Sequence, residues 1–185
     1  MALLELKCQE LTRQLERLGS VIDLNKDLPA NLFIDGEYVF WFFERPLLSY
    51  LDIFLGIVNE SIISFKSDVH IKFSGGENLA GSCFSITGGE VREDVAAVMR
   101  KFDDFNGGKI GYPIIFFNDG FEWIAFESAY EEFGVMAVKA SALKGEYVKY
   151  LDSSLISGKE MIDLAAGCLP ESVAAKALVM AYHVN

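Results

Sequence analysis

The chain has 185 residues, 51% hydrophobic and 13% aromatic, and its 27 acidic against 16 basic side chains leave a formal charge of −11. That length and apolar content suit a single domain over residues 1–185 with its own core, and exclude both a disordered chain and one that needs a metal or disulfide staple to fold. The charge repels a phosphate backbone, so direct nucleic-acid binding is not expected, whereas encounter with a basic protein is favoured.

From the N-terminus, Leu4, Cys8, Leu11, Leu15 and Leu18 recur at steps of four and three, which predicts an amphipathic helix ending near Gly19. Charge is spread through MALLELKCQELTRQLERLGS, so this segment reads neither as a signal peptide nor as a membrane span. Residues 32–44, LFIDGEYVFWFFE, set Asp35 and Gly36 between two β-prone runs and predict a tight hairpin. The run Tyr38 to Phe43 is apolar on both faces, so that strand should be covered from both sides or by a partner. Pro46 then suits the first turn of a helix carrying Leu47, Leu48, Leu51, Phe54, Leu55 and Val58 inward. After Asn59 the pattern turns β-like at Ile62 to Phe65 and at Val69 to Phe73, the latter with His70 and Lys72 on a wet face.

Residues 75–89 hold five of the sixteen glycines and read as a loop around a short strand, Cys83 to Ile86. A helix follows, with Val91, Val95, Val98 and Phe102 on its apolar face and Asn106, Gly107 and Gly108 at its end. PIIFFNDGFEWIAFES gives the clearest signal, two β runs around Asn118, Asp119 and Gly120, with a further strand at Val135 to Val138. The last quarter is helical in pattern over 143–151, 158–166 and 170–183, with Pro170 at a helix start. Strands joined mainly by hairpins and interleaved with helices predict an α+β fold, a mostly antiparallel sheet covered by amphipathic helices on one face.

No catalytic or metal-ligand spacing emerges. Cys8, Cys83 and Cys168 are far apart and odd in number, which reads as reduced thiols in a cytoplasmic setting. Neither histidine, His70 or His183, belongs to a sequence pattern that joins it to both an acidic orienter and a nucleophile. No GxSxG, HExxH, GxxxxGK[ST] or GxGxxG pattern occurs, and the loop at Gly75 to Gly89 lacks the lysine that completes an anion cradle. The expectation is therefore a protein without cofactor or metal that is not an enzyme.

The charge pattern is more telling. Between Ile110 and Val138 stand Asp119, Glu122, Glu127, Glu131 and Glu132 with no Lys or Arg, and Asp35, Glu37 and Glu44 give the first hairpin the same sign. Carboxylates beside Tyr38, Trp123 and Tyr130 suit recognition of a basic surface, the rings supplying buried area and the acids charge-assisted hydrogen bonds. The candidate partner-binding residues are Asp119, Glu122, Trp123, Glu127, Glu131, Glu132, Asp35 and Glu37.

The stretch IGYPIIFFNDGFEWIAFESAYEEFGVMAVK, Ile110 to Lys139, resembles segments of bacterial immunity proteins that neutralise contact-dependent growth-inhibition and other polymorphic toxins. The resemblance covers about a sixth of the chain and is compositional. It implies a cytoplasmic inhibitor that binds a basic, nuclease-like toxin domain and catalyses nothing. Two alternatives stand beside it: a small enzyme or ligand-binding domain with a pocket near the Gly75 to Gly89 loop, His70 and neighbouring carboxylates, and a subunit that assembles through the Tyr38 to Phe43 strand.

Overall fold

The computed structural model describes residues 3–34, 36–88, 91–106 and 111–184. Among them the fold is α+β, an eight-stranded antiparallel sheet in the order β1-β4-β3-β5-β6-β7-β2-β8. The strands are β1 (Leu3–Glu5), β2 (Tyr38–Glu44), β3 (Val69–Lys72), β4 (Cys83–Ile86), β5 (Ile114–Asn118), β6 (Trp123–Glu127), β7 (Phe133–Lys139) and β8 (Ile156–Ser157). The helices are α1 (Cys8–Gly19), α2 (Leu51–Phe65), α3 (Val91–Asn106), α4 (Gly145–Ser154), α5 (Gly158–Ala165) and α6 (Pro170–Ala181).

The centre of the sheet follows from local sequence. β5 and β6 pair from Ile114↔Glu127 to Phe117↔Ile124, and β7 adds to β6 from Trp123↔Val138 to Phe126↔Val135. Asn118 shapes the turn, its side-chain oxygen accepting from the Glu122 backbone N–H at 2.9 Å. Phe121, at φ 50°, takes the left-handed conformation in the same turn.

The pairing expected between residues 32–34 and the strand after Gly36 is absent among the described residues. β2 pairs instead with β7 over seven residues, Tyr38↔Lys139 to Glu44↔Phe133, and on its other side with β8 at Trp41 and Phe42. Residues 32–34 fold back on the end of α1: Phe33 bridges Ile22, and Asp23 N–H donates to the Leu32 carbonyl at 2.8 Å. A strand apolar on both faces gains more from an interior place in the sheet than from a wet local hairpin. Asp35 lies outside the described residues, as do Gly89, Gly107 and Gly108.

Three further boundaries move. Ile62 to Phe65 continue α2 instead of starting a strand, because Phe54, Val58, Ser61 and Phe65 carry one stripe along the helix, which stops at Lys66 in the left-handed region. Leu4 belongs to β1, paired with Ser85, and α1 begins only at Cys8. Pro46 precedes a short 3-10 turn, Leu47–Ser49, and not the first turn of α2.

Helices cover both faces of the sheet, not one. Trp41, Phe43, Phe116, Trp123 and Met136 pack under α2, α3 and α4 through Phe54, Val95, Val98, Tyr147 and Leu151. Phe42, Ile115, Ile124, Phe126 and Val135 pack on the opposite face against Leu18, Leu32, Met161, Ala175 and Leu178. Double coverage explains why β5, β6 and β7 read as near-continuous apolar runs, a pattern more usual in parallel sheets. The face of β3 and β4 that carries His70 and Lys72 is also covered, with exposures of 4% and 1%. There Leu6, Leu11 and Cys83 form a small separate cluster, and α1 lies over the strands.

Candidate partner-binding surface

The acidic residues divide between two ends of the sheet. Register places Glu37, Asp119 and Glu122 beside the start of β6, and Glu44, Glu127, Glu131 and Glu132 beside its end. The five residues of β6 separate the two groups by on the order of 15 Å.

At the first end the charges are mixed. Asp119 Oδ1 lies 2.7 Å from His70 Nε2 and accepts from Gln14 Nε2 at 3.2 Å. Its carbonyl accepts from Arg17 at 2.5 Å, and the Arg17 guanidinium sits 4.8 Å above the Phe121 ring. Glu122 accepts from Asn118 Nδ2 at 2.7 Å. Lys139 N–H donates to the Glu122 carbonyl and Ala140 N–H to that of Glu37, so Lys139 stands between the two acids. Lys139 and Lys144 also line, with Glu122, Ser64 and Ser141, a groove of about 350 Å³. The two turns expected to form one negative patch do adjoin through Glu37 and Glu122, but with Lys139, Lys144 and Arg17 interleaved.

Two of the expected contact residues are core residues. Trp123 is fully buried, its indole N–H donating to Ser61 Oγ at 2.7 Å. Glu127 is also fully buried. Its Oε2 accepts from Leu47 N–H at 2.8 Å while Oε1 has no hydrogen-bond partner. Burial pushes its carboxyl up to about 7, against the opposing pull of the Leu47 N–H and the nearby Arg45. Neither side chain can meet a partner, because α2 covers the first and the Arg45–Leu47 turn the second.

The other end is more uniformly acidic. In the turn between β6 and β7, Tyr130 is 87% exposed and Glu132 is exposed, with Glu131 half-buried. The turn is braced from β2: Arg45 N–H donates to the Glu132 carbonyl at 3.2 Å, and the Arg45 guanidinium donates to the Glu131 carbonyl. The same guanidinium lies 5.6 Å over the Tyr112 ring. Glu44, paired with Phe133, adds an exposed carboxylate that accepts from Tyr50 Oη at 2.7 Å. That hydrogen bond, with the charge of Glu44, raises the Tyr50 phenol above its usual value. Sequence reasoning assigned Glu44 to the first hairpin; only strand pairing brings it beside Glu132.

His70 forms the second candidate constellation. Its ring is buried, stacks on Phe117 with centroids 5.1 Å apart, and leaves Nδ1 without a partner. A cleft of about 290 Å³ reaches it, lined by Glu5, Glu10, Arg13, Arg17 and Ser85 among others. Asp68, close by, is raised by desolvation and by the charge of Asp119. The Gly75 to Gly89 loop contributes Ser85 through β4, and Asn78 donates to Thr12 of α1 at 2.8 Å.

Among the described residues no group of three or more His, Cys, Asp or Glu is placed to hold a metal ion, and no helix is long and apolar enough to cross a membrane. The chain matches no protein-family model, and neither a curated protein nor a solved structure is similar to it.

Proposed function

We propose that this protein is an immunity-type inhibitor that binds and neutralises a basic toxin domain, a nuclease by chemistry, from a cytoplasmic position, acting by occupancy and not by catalysis. The observation that carries the reading is the acidic, aromatic end of the sheet, where the strongly exposed Tyr130 stands beside Glu131, Glu132 and Glu44. Arg45, the cation of that end, is turned inward onto Tyr112 and the Glu131 carbonyl. An exposed ring among carboxylates offers contact area and charge-assisted hydrogen bonds to a surface rich in Arg and Lys. Nucleases present such surfaces because they hold phosphates.

The test is to recover the bound protein from the native cell, establish its charge and activity, and measure association at several salt concentrations. Glu131→Lys with Glu132→Lys is expected to slow association about tenfold or more at low salt, with the difference shrinking as salt rises. An acidic partner, or kinetics unchanged by the double reversal, defeats the proposal.

A second reading, a small enzyme or ligand-binding domain, is favoured by the pairing of buried His70 with the half-exposed Asp119 at the cleft under α1. On that reading some compound in a panel of cellular metabolites raises the melting temperature of the wild type, and His70→Phe abolishes the shift. A panel without effect on the wild type counts against it.

A further inference from the structure

Beside the acidic end the sheet edge opens into a small socket. β8 pairs only with Trp41 and Phe42, so Phe43 and Glu44 run past its end. The space left there, about 190 Å³, is lined by Phe43, Leu47, Ile53, Leu155, Tyr50 and Glu44 among others. Phe43, Leu47 and Leu155 are buried side chains of the core, 3%, 1% and 7% exposed, and form its apolar wall. Glu44 contributes the charge. Tyr50 Oη holds its Oε2 at 2.7 Å, and Oε1 makes no hydrogen bond or ion pair among the described residues. The next residue, Arg45, does not neutralise it, being engaged with Tyr112 and the Glu131 carbonyl.

We infer that this socket receives one arginine side chain of the cationic partner, its aliphatic stem against Phe43, Leu47, Ile53 and Leu155 and its guanidinium on the Glu44 carboxylate. The inference rests on the proposed inhibitor role and locates an anchor point for it. The volume is below the roughly 300–1,000 Å³ of a pocket for a drug-sized ligand and is of the order of a single side chain. A long amphipathic side chain is the complement of an apolar wall with one fixed carboxylate, since it buries its methylenes and keeps its charged head at the rim. Arginine suits the rim better than lysine: its planar head pairs with both carboxylate oxygens and lies against the Tyr50 ring. The socket adjoins the acidic turn, because Glu44 is the strand partner of Phe133, next to Glu132. A partner seated on Tyr130 and Glu132 therefore reaches it without rearrangement.

The experiment uses the isolated full-length protein and three small probes, n-butylguanidinium, n-butylammonium and 1-butanol, followed through the methyl resonances of Leu47, Ile53 and Leu155. n-Butylguanidinium is expected to give saturable shifts with a dissociation constant of about a millimolar. Affinity is expected to fall about fivefold or more for 1-butanol, and by a similar factor in the Glu44→Gln variant, whose exposed position leaves the fold intact. Absence of saturable shifts, equal binding of 1-butanol, tighter binding of n-butylammonium, or an unaffected Glu44→Gln variant would each overturn the inference. Because no partner is present, failure here leaves the inhibitor role untouched, whereas the Glu131→Lys, Glu132→Lys experiment tests that role without reference to the socket.

Discussion

Replacing Glu127 by Gln is expected to shift the stability difference between variant and wild type by about 3 kcal/mol in favour of the variant between pH 5 and pH 8.5. The cause is a carboxyl raised from 4.5 to about 7 by burial at the end of β6. A group whose folded value lies above its unfolded one contributes stability that is fully present below about pH 4.5 and is lost as pH rises through 7. Above that the wild type holds a buried carboxylate with one unpartnered oxygen, a state that costs several kcal/mol when compensation is incomplete. Gln keeps an acceptor for the Leu47 N–H and never ionises, so its profile lacks this fall. Chemical denaturation of both proteins at intervals across that range decides the matter, and parallel profiles would sink the assignment. The consequence reaches the proposed binding surface, since the Glu127–Leu47 bond holds the turn from which Arg45 braces Glu131 and Glu132.

Lys72→Met is the second large expectation, a gain of about 1–3 kcal/mol at pH 7. Lys72 is 1% exposed, and its ammonium donates to the Phe73 carbonyl, leaving its further N–H groups without an acceptor among the described residues in the sheet face under α1. Desolvation pulls its amine down from 10.5 to about 8, with Cys83 and Glu77 acting in the opposite sense. For a cation depressed in this way, the associated stability is present above about pH 10.5 and is lost as pH falls through 8. The wild type therefore gains on the order of 3 kcal/mol from this group as the solution is made alkaline. The Met variant, which fills the same space with an unbranched apolar chain, lacks that pH-dependent gain and is already more stable at neutrality. Denaturation at pH 7 and at pH 10 tests both halves, and a variant less stable than the wild type at pH 7 would show the ammonium to be well paired.

The expected and observed elements part company in an ordered way. The β5–β6 hairpin, the strand at Cys83 to Ile86 and helices α3, α5 and α6 lie where periodicity, Asn-Asp-Gly, Pro170 and the glycines place them, because turn chemistry and amphipathic spacing act within a few residues. β2 was legible as a strand but its partners were not: its neighbours β7 and β8 lie about a hundred residues away in sequence, and no local signal encodes such pairing. His70 and Lys72 looked wet because they alternate with Val69, Ile71 and Phe73; α1, more than fifty residues earlier, covers them. For the binding surface, Glu131, Glu132 and Tyr130 were legible as carboxylates beside an aromatic ring, and the fold places them in an exposed turn. Trp123 and Glu127 carried the same chemistry on paper and went inside, because Ser61 and Leu47 supply hydrogen-bond partners that only packing brings near.

By itself, the amino-acid order determined a charge of −11 on an α+β chain, its central hairpin and the run of carboxylates around Tyr130, properties set by composition and by interactions between near neighbours. Tertiary structure decided which acids face water, that Arg45 at the acidic end is turned inward onto Tyr112 and the Glu131 carbonyl, and that a short last strand leaves a socket beside Glu44. Burial is a property of what packs on a residue from afar, and the same carboxylate is a surface charge, a hydrogen-bonded brace or a raised acid according to that covering alone.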